Sequence, residues 1–379
     1  MTTSAASMPR IVVFLPSWLG DTAMATPTLR LLRASLERAV VVGMVRPGMD
    51  EVLSGLELLD DVIVADARKA LGPAKAASRL VTMKFDACLL LPNSFSSAMT
   101  ARLAGIRIRV GYDRDGRGML LTHGIEPLKR LPPKHGYEPV SAVDYYLAAA
   151  RRLLGVIADE RPDLRTGIET ARSTPIRLEL ATLPAEEDRA EAILGAAGVG
   201  AGEAFVVLNP GGNNPAKRWP VERFAAVAHH LIERHGAKVV INGSPSEAPV
   251  VALIRDAIVL NHPEDGERVT CLPELGGTVG SLKAMVRRAR LMVTNDTGPR
   301  HIAAAFGVPC ITLFGPTDPR WTTLPDSVQI GNTKARETVI VADPTLPPEE
   351  VADDHPERCR IDKIATATVI EAVDRAMAG

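Results

Sequence analysis

The sequence predicts an α/β protein made of two doubly wound domains, and three observations support this prediction. Short apolar runs alternate with segments of helical periodicity in both halves of the chain. The 379 residues exceed the size that one hydrophobic core usually serves. The alternation stops at about residues 161–185, where prolines and charges are frequent. We therefore expect one domain over residues 1–175, a second over 176–362, and a final helical segment over 363–379.

The first domain begins with an apolar run at residues 11–15, which is typical of a parallel strand buried on both faces. A helix is predicted over residues 23–38, where apolar residues recur at helical spacing. Residues 113–135 are rich in Gly, Pro, Arg and Lys and are predicted to form a long loop. The other predicted elements are strands at 40–45, 62–65, 87–91 and 110–112 and helices at 94–104 and 137–155.

The second domain repeats the alternation after a short strand-like piece at residues 176–180. Strands are predicted at 205–208, 238–242, 291–294 and 310–314, and helices at 221–235, 249–260, 281–289, 301–306 and 364–377. Sheets of this kind bind ligands beyond the carboxyl ends of their strands. Each motif described below follows a predicted strand, so we expect the motifs to form one site.

Charge and cysteine content exclude several classes of function. The formal net charge is −1, so no overall field attracts nucleic acid or a membrane surface. The four cysteines lie far apart, with no CxxC pair and no histidine at zinc-finger spacing, so a disulfide framework is not expected and a reducing cytoplasm is favoured. The start of the chain lacks the pattern of a signal peptide, and no run approaches the ~20 apolar residues of a spanning helix. We expect a cytoplasmic protein with no more than peripheral membrane contact.

The first motif occupies residues 16–24, directly after the first strand. Gly20 permits a tight turn, and Asp21 follows at the start of a helix. Asp21 could cap that helix, or its carboxylate could act as a general base. The turn contains no GxGxxG pattern, which argues against a nicotinamide-dependent enzyme.

The second motif occupies residues 209–220 and begins with Asn209. Gly211 and Gly212 allow backbone amides to approach an anion, and Lys217 and Arg218 add positive charge. The alternative is a solvated loop with surface charges. In the third motif, residues 241–247, Ser244 or Ser246 could cap a helix with Glu247 in its first turn, or Glu247 could accept hydrogen bonds from a ribose.

The fourth motif occupies residues 293–301 and is the most specific of the four. A strand ends, a polar turn containing Asp296, Thr297 and Gly298 follows, and a helix is predicted to start around Pro299. Free amides at a helix start form an anion site suited to a diphosphate. His301 could donate to that anion, although such a histidine is more often structural. Residues 315–319 add a further turn at the same edge.

Together these motifs resemble glycosyltransferase family 9, the ADP-heptose:lipopolysaccharide heptosyltransferases, and most closely its heptosyltransferase II members. The resembling segments, in the family's order along the chain, are residues 18–30, 209–220, 243–247, 295–301 and 313–317. The resemblance implies the GT-B fold, in which two Rossmann-like domains face a central cleft. It also implies transfer of a heptose from ADP-heptose to a lipopolysaccharide inner-core acceptor, with inversion and with neither metal nor cofactor.

The resemblance also implies a role for individual residues. Asp21 would deprotonate the acceptor hydroxyl, and Lys217 would neutralise the departing diphosphate. Glu247 would bind the ribose, and Asp296 would contact the transferred sugar. The complete donor-binding set would be Asn209, Gly211, Gly212, Lys217, Arg218, Glu247, Asp296, Thr297, Gly298 and His301. The final helix would pack back on the first domain.

The family acceptor is a phosphorylated lipid A–core, and basic residues of the first domain could attract it. The candidates are Arg107, Arg109, Arg114, Arg117, Lys129, Arg130 and Lys134. The alternative is a solvated loop with scattered charges, and any membrane attachment would be weak. Two features depart from the family: Arg300 replaces an apolar residue, and residues 113–135 match no pattern.

Two other functions remain open. The chain could use another nucleotide-sugar for a different surface glycan, or it could be an inactive nucleotide-sugar-binding protein. The presence of both Asp21 and Lys217 favours an enzyme, since a protein that only binds has no need to keep both.

Overall fold

The structure is a computed structural model that describes residues 8–66, 71–131, 134, 136–200, 202–212, 214–325, 329–330, 333–334 and 337–378. The chain divides into two compact units, Met1–Glu179 and Leu180–Gly379. The division falls a few residues after the predicted boundary at 175. Among the described residues, no helix combines the length and the apolar character that crossing a membrane requires.

The first unit contains a parallel six-stranded sheet. Its strands are β1 (Arg10–Phe14), β2 (Val40–Val45), β3 (Asp61–Val64), β4 (Ala87–Leu90), β5 (Ile108–Tyr112) and β6 (His123–Ile125). Their order across the sheet is β3-β2-β1-β4-β5-β6. The order reverses between β1 and β4, so ligands are expected beyond the carboxyl ends of these two strands.

Helices cover this sheet: α1 (Leu19–Met24), α2 (Thr26–Ser35), α3 (Asp50–Leu53), α4 (Gly72–Val81), α5 (Phe95–Leu103), α6 (Ala142–Glu160) and α7 (Arg165–Thr170). The prediction of one helix over residues 23–38 was wrong. The helix breaks at Ala25, and α2 restarts with Pro27 in its first turn, where the missing N–H costs nothing.

The predicted loop at 113–135 was also wrong in part. Its residues 123–125 form β6, which pairs with β5 in the register Val110↔His123. Positions 132, 133 and 135 of that loop lie outside the described residues.

The second unit contains a second parallel six-stranded sheet in the order β14-β11-β10-β7-β8-β9. Its strands are β7 (Phe205–Asn209), β8 (Lys238–Ile241), β9 (Val269–Cys271), β10 (Leu291–Asn295), β11 (Cys310–Phe314) and β14 (Glu337–Val341), and an antiparallel pair consists of β12 (Gln329–Ile330) and β13 (Thr333–Lys334). Here the order reverses between β7 and β10. Both sheets therefore have the Rossmann strand order, which confirms the predicted fold class.

The helices of the second unit are α8 (Pro184–Ala196), α9 (Val221–His235), α10 (Ala248–Asn261), α11 (Val279–Arg288), α12 (Gly298–Phe306) and α13 (Thr366–Met377). The sequence did not predict α8, β9 or β14, and the predicted strand at 176–180 does not form.

The final helix is part of the second unit, and its predicted packing on the first domain stays a prediction. Val369 and Val373 of α13 lie in the same buried cluster as Phe224 and Ala228 of α9. The apolar face of α13 thus completes the core of the second unit.

Candidate functional site

The candidate site of the second unit lies where the strand order of its sheet reverses. β7 and β10 are parallel neighbours, and Asn209 pairs with Thr294 in their register. Asn209 and Asn295 are the last residues of the two strands. Two of the predicted motifs therefore begin side by side at the carboxyl edge of the sheet.

Asn209 connects the ends of three strands. Its Nδ2 donates to Thr294 Oγ1 at 2.9 Å and to Thr297 Oγ1 at 2.7 Å. Its Oδ1 accepts from Asn242 Nδ2 at 2.6 Å, at the end of β8. Only 3% of Asn209 is exposed. Because the amide is buried and bonded at both of its ends, Asn209 is a framework residue of the site.

Asn295 fixes the glycine turn that follows β7. It is completely buried, and its Nδ2 donates to the carbonyl oxygens of Pro210 at 2.7 Å and Gly211 at 3.2 Å. Its Oδ1 accepts from the backbone N–H of Trp219 at 3.4 Å. One side chain from β10 therefore holds both ends of the second motif. Asn213, within that motif, lies outside the described residues.

Glu247 joins the second and third motifs. Its Oε1 accepts from the Gly212 N–H at 2.6 Å, and its Oε2 accepts from the N–H and the hydroxyl of Ser244, both at 2.8 Å. A Cβ atom at position 211 would lie 2.3 Å from Glu247 Oε1, so Gly211 is required for this approach. The capping interpretation of Glu247 is therefore confirmed, while further lone pairs of the carboxylate remain for a ligand.

Lys217 and Asp296 form an ion pair at the end of β10. Lys217 Nζ lies 3.0 Å from Asp296 Oδ2. The other oxygen of Asp296 accepts from Thr322 Oγ1 at 3.3 Å. About a quarter of the Lys217 side chain is exposed, whereas Asp296 is buried. Beside this pair, Arg218 Nε donates to the Gly212 carbonyl at 2.8 Å.

Helix α12 begins two residues after Asp296. Thr297 occupies its N-cap in an extended conformation, with φ −146° and ψ 172°. The Thr297 hydroxyl does not cap α12; it accepts from Asn209 instead. The helix starts at Gly298, followed by Pro299, which has no N–H. The N-terminus of α12, with the positive end of its dipole, has the character of places where proteins bind anions, and the predicted anion site remains a prediction.

His301 lies one turn into α12 and is buried. It is only 3% exposed, and burial together with the positive charge of Arg300 lowers its pKa to about 3. The imidazole is therefore neutral near pH 7 and adds no positive charge to the anion site. Within the described part of the chain, its Nδ1 has no hydrogen-bond partner.

Arg300, in the first turn of α12, is almost completely buried. Its Nε and NH2 donate to the two carboxylate oxygens of Glu337 at 2.5 and 3.0 Å. Its NH1 donates to the carbonyl and the hydroxyl of Thr322, both at 2.9 Å, and lies 3.6 Å from Asp296 Oδ1. Burial opposes its charge, but the hydrogen bonds and the charge of Glu337 raise the pKa of Arg300 above its usual value. Arg300 thus ties the turn after β10 to β14.

In the first unit, Asp21 follows β1, where the strand order of that sheet reverses. The N-cap of α1 is Trp18, and Asp21 lies in the first turn of the helix. The capping interpretation of Asp21 was therefore wrong. Its Oδ1 accepts from the hydroxyl of Tyr146 at 3.2 Å. Burial, then the charge of Asp21, raises the pKa of Tyr146 well above its usual value, so the phenol stays protonated and donates.

Two of the basic candidates of the first unit have internal partners. Arg117 is fully buried; its Nε donates to the Tyr112 carbonyl at 2.9 Å, and burial lowers its pKa to about 10. Arg109 Nε donates to the Leu120 carbonyl at 2.6 Å. Because these cations satisfy backbone carbonyls of the fold, we withdraw both as acceptor contacts.

The remaining basic candidates are more accessible, with one exception. Arg107, Lys129 and Lys134 are exposed, the Arg114 guanidinium lies 3.9 Å from the centre of the Tyr137 ring, and Arg130 is buried. Arg107 NH1 also lies 3.1 Å from Glu160 Oε1.

The structure thus brings the predicted donor set together in the second unit and pairs Asp21 with Tyr146 in the first. Sequence reasoning missed Tyr146, Asn242 and Thr322. Tyr146 lies 125 positions from Asp21, so no local pattern connects the two residues.

Comparisons with known proteins agree on one family. A family model described as glycosyltransferase family 9 (heptosyltransferase) matches residues 74–341. The chain is 27% identical over 319 residues to lipopolysaccharide heptosyltransferase 2 of Escherichia coli K12, covering 83% of this chain and 84% of that protein. It is also 27% identical over 319 residues to lipooligosaccharide heptosyltransferase 2 of Haemophilus influenzae, covering 82% and 85% of the two chains.

A solved structure supports the fold along nearly the whole chain. The structure of Escherichia coli ADP-heptose lipopolysaccharide heptosyltransferase II matches with a TM-score of 0.72 at 23% identity, covering 97% of this chain and 98% of that one. Both units of this chain therefore have the architecture of the GT-B fold.

Proposed function

The chain belongs to glycosyltransferase family 9 and is a glycosyltransferase, and from this premise we propose that it transfers a heptose from ADP-heptose to a lipopolysaccharide inner-core acceptor. The observation that chiefly supports the proposal is the Lys217–Asp296 pair at the start of α12. The site offers helix amides for a diphosphate, a lysine for its charge and a carboxylate for sugar hydroxyls.

On the donor side, the diphosphate binds at the N-terminus of α12, against Thr297 and Gly298. Lys217 turns from Asp296 towards the diphosphate and neutralises the charge that develops on the leaving group. The lysine thereby supplies the positive charge that a divalent cation supplies in other transferases, so transfer needs no metal. Asp296, released from Lys217, accepts from hydroxyls of the heptose while Thr322 and Arg300 hold it in place.

The remaining donor contacts follow from the turns around the pair. Glu247 accepts from the ribose with the lone pairs that Gly212 and Ser244 leave available. Arg218 binds near the phosphates from its position on the glycine turn. His301 contributes a neutral imidazole beneath the first turn of α12.

On the acceptor side, Asp21 is the general base. The acceptor hydroxyl gives its proton to the Asp21 carboxylate as its oxygen attacks the anomeric carbon. The bond from that carbon to the diphosphate oxygen breaks, ADP leaves, and the configuration inverts. Tyr146 orients the carboxylate by donating to Oδ1.

The exposed cations of the first unit, with Arg114, attract the phosphates of the lipid A–core. We further propose that the protein works in the cytoplasm, with weak peripheral contact at the inner face of the membrane. All four cysteines are buried and free, which suits a reducing compartment.

The test is transfer by the purified full chain. The chain is incubated with ADP-heptose and an inner-core acceptor, with and without EDTA, and product mass and anomeric configuration are measured by mass spectrometry and NMR. We expect the acceptor to gain a heptose with inverted configuration, and EDTA to have no effect. Consumption of a UDP- or GDP-sugar in place of ADP-heptose would favour another surface glycan. Tight ADP binding without transfer to any inner-core acceptor would favour an inactive binding protein.

A further inference from the structure

Two helices of the second unit bring two imidazoles and a carboxylate together at the surface. His230 and His235 lie on α9, and Asp374 lies on α13. The Nε2 atoms of both histidines lie 2.7 Å from the same atom, Asp374 Oδ1. We propose that these three side chains bind a zinc ion, which fastens the final helix to α9.

The arrangement of the three ligand atoms suits a transition metal. Two imidazoles and a carboxylate are a common ligand set for zinc, with water completing the shell. The ligand atoms all lie within 4.8 Å of one another. Tetrahedral zinc with Zn–N bonds of ~2.0–2.1 Å separates its ligands by about 3.3 Å. The Nε2 atoms of His230 and His235 each lie 2.7 Å from Asp374 Oδ1, so both distances need to widen by about 0.6 Å to admit the ion.

The orientation of the two rings allows both to point at one ion. Their planes are inclined by 69°, with the centroids 5.7 Å apart. The nitrogen lone pairs lie in the ring planes, so two inclined rings can converge on one ion. Both side chains are about one-fifth exposed and that of Asp374 is nearly half exposed, which leaves room for water ligands.

The position on α9 also favours a cation. His235 is the last residue of the helix, and Gly236 ends it in a left-handed conformation, with φ 61°. The carboxyl end of a 15-residue helix carries partial negative charge, which stabilises a bound positive ion there.

A second cluster on the same helix provides a contrast. His229, His262 and Asp265 also place their ligand atoms within 4.8 Å of one another. Here, however, the two rings are stacked, with an interplanar angle of 9° and centroids 3.3 Å apart. Lone pairs in parallel planes do not converge on one ion. Asp265 is buried and 2.8 Å from His229 Nδ1. This cluster is a hydrogen-bonded packing contact and a matched control.

Zinc binding links two helices of the second unit. α13 already contributes Val369, Val373 and Met377 to the core beneath α9. A zinc ion bound by Asp374 and both histidines connects α13 to α9, which lie far apart in sequence. Since only the folded chain presents the three ligands together, zinc stabilises the folded state.

The experiment uses the full chain without a histidine tag, stripped of metal, and titrated with zinc chloride by calorimetry and thermal unfolding. We expect about one zinc ion per chain. At a concentration of ~100 times the dissociation constant, the unfolding midpoint should rise by about 5 °C or more. His230→Ala and His235→Ala should each abolish both effects, and His262→Ala should retain them.

Absence of zinc binding by the wild-type chain would overturn the proposal without any variant. So would binding that survives in a His230→Ala/His235→Ala double variant, or binding that His262→Ala removes. If an alanine variant fails to fold, His230→Asn and His235→Asn replace it. Far-UV circular dichroism like that of the wild type then shows that any lost binding is local.

Discussion

Replacing Arg300 with methionine removes the charge beneath the candidate site while keeping a long side chain. Arg300 is 1% exposed, and its guanidinium donates to both oxygens of Glu337 and to Thr322. The substitution leaves the Glu337 carboxylate, which is largely buried, without its positive partner. Within the described residues, Thr312 Oγ1 still donates to that carboxylate at 2.6 Å.

The size of the effect follows from this loss. Removing one partner of a buried ion pair costs about 3–5 kcal/mol, because the other charge stays buried and unpaired. For a domain of this size, each 1 kcal/mol lowers the unfolding midpoint by about 2–4 °C. We therefore expect the transition of the second unit to fall by roughly 6–20 °C in differential scanning calorimetry.

The matched control is the double variant Arg300→Met/Glu337→Gln. It removes both charges while keeping an acceptor for Thr312, so it should recover more than half of the lost stability. Two results would refute the reasoning: a single variant within about 1 kcal/mol of the wild type, or a double variant less stable than the single one.

Three further predictions concern the site directly. Asp21→Asn keeps an acceptor for Tyr146 but removes the base. ADP binding should therefore change less than about twofold, while the rate of transfer should fall by ~10²–10⁴-fold. A transfer rate equal to that of the wild type would contradict this role. Lys217→Met should lower kcat by ~10²–10³-fold. The control Lys238→Met, on the same unit, should leave kcat unchanged. Equal effects of the two substitutions on kcat would argue against a specific role of Lys217 at the leaving group. The pKa of His301 is about 3 in the folded chain and near 6.5 when unfolded. The unfolded state therefore binds the extra proton, and unfolding free energy should fall as pH drops from 6.5 towards 3. Denaturant unfolding gives the unfolding free energy across that range, which should depend less steeply on pH for His301→Asn than for the wild type. Equal slopes for the two proteins would count against the buried neutral imidazole.

The central strands and the start of α12 were predictable from local chemistry. Continuous apolar runs such as those of β1 and β7 leave few alternatives to buried parallel strands. The Gly298-Pro299 pair after a polar turn indicated a helix start, although α12 begins three residues earlier than the helix predicted at His301.

Other elements depend on tertiary contacts that no local pattern shows. β14 lies at the edge of its sheet and is only half-buried. Because an edge strand does not need the long apolar run of a central strand, its sequence after a proline-containing stretch did not indicate it. Arg117 belongs to a stretch that appears solvated in sequence, yet backbone carbonyls such as that of Tyr112 enclose its guanidinium. The contact of Tyr146 with Asp21 depends on how α6 packs near α1, across 125 positions of sequence.

The central claim is that the carboxyl edge of β7 and β10 binds the nucleotide-sugar of a glycosyl transfer. A crystal structure of the full chain with ADP-heptose tests it most directly. We predict the diphosphate at the N-terminus of α12, within hydrogen-bond distance of Lys217 Nζ, with the heptose against Asp296. A diphosphate bound elsewhere, or a Lys217 still paired with Asp296 beside bound donor, would contradict the claim.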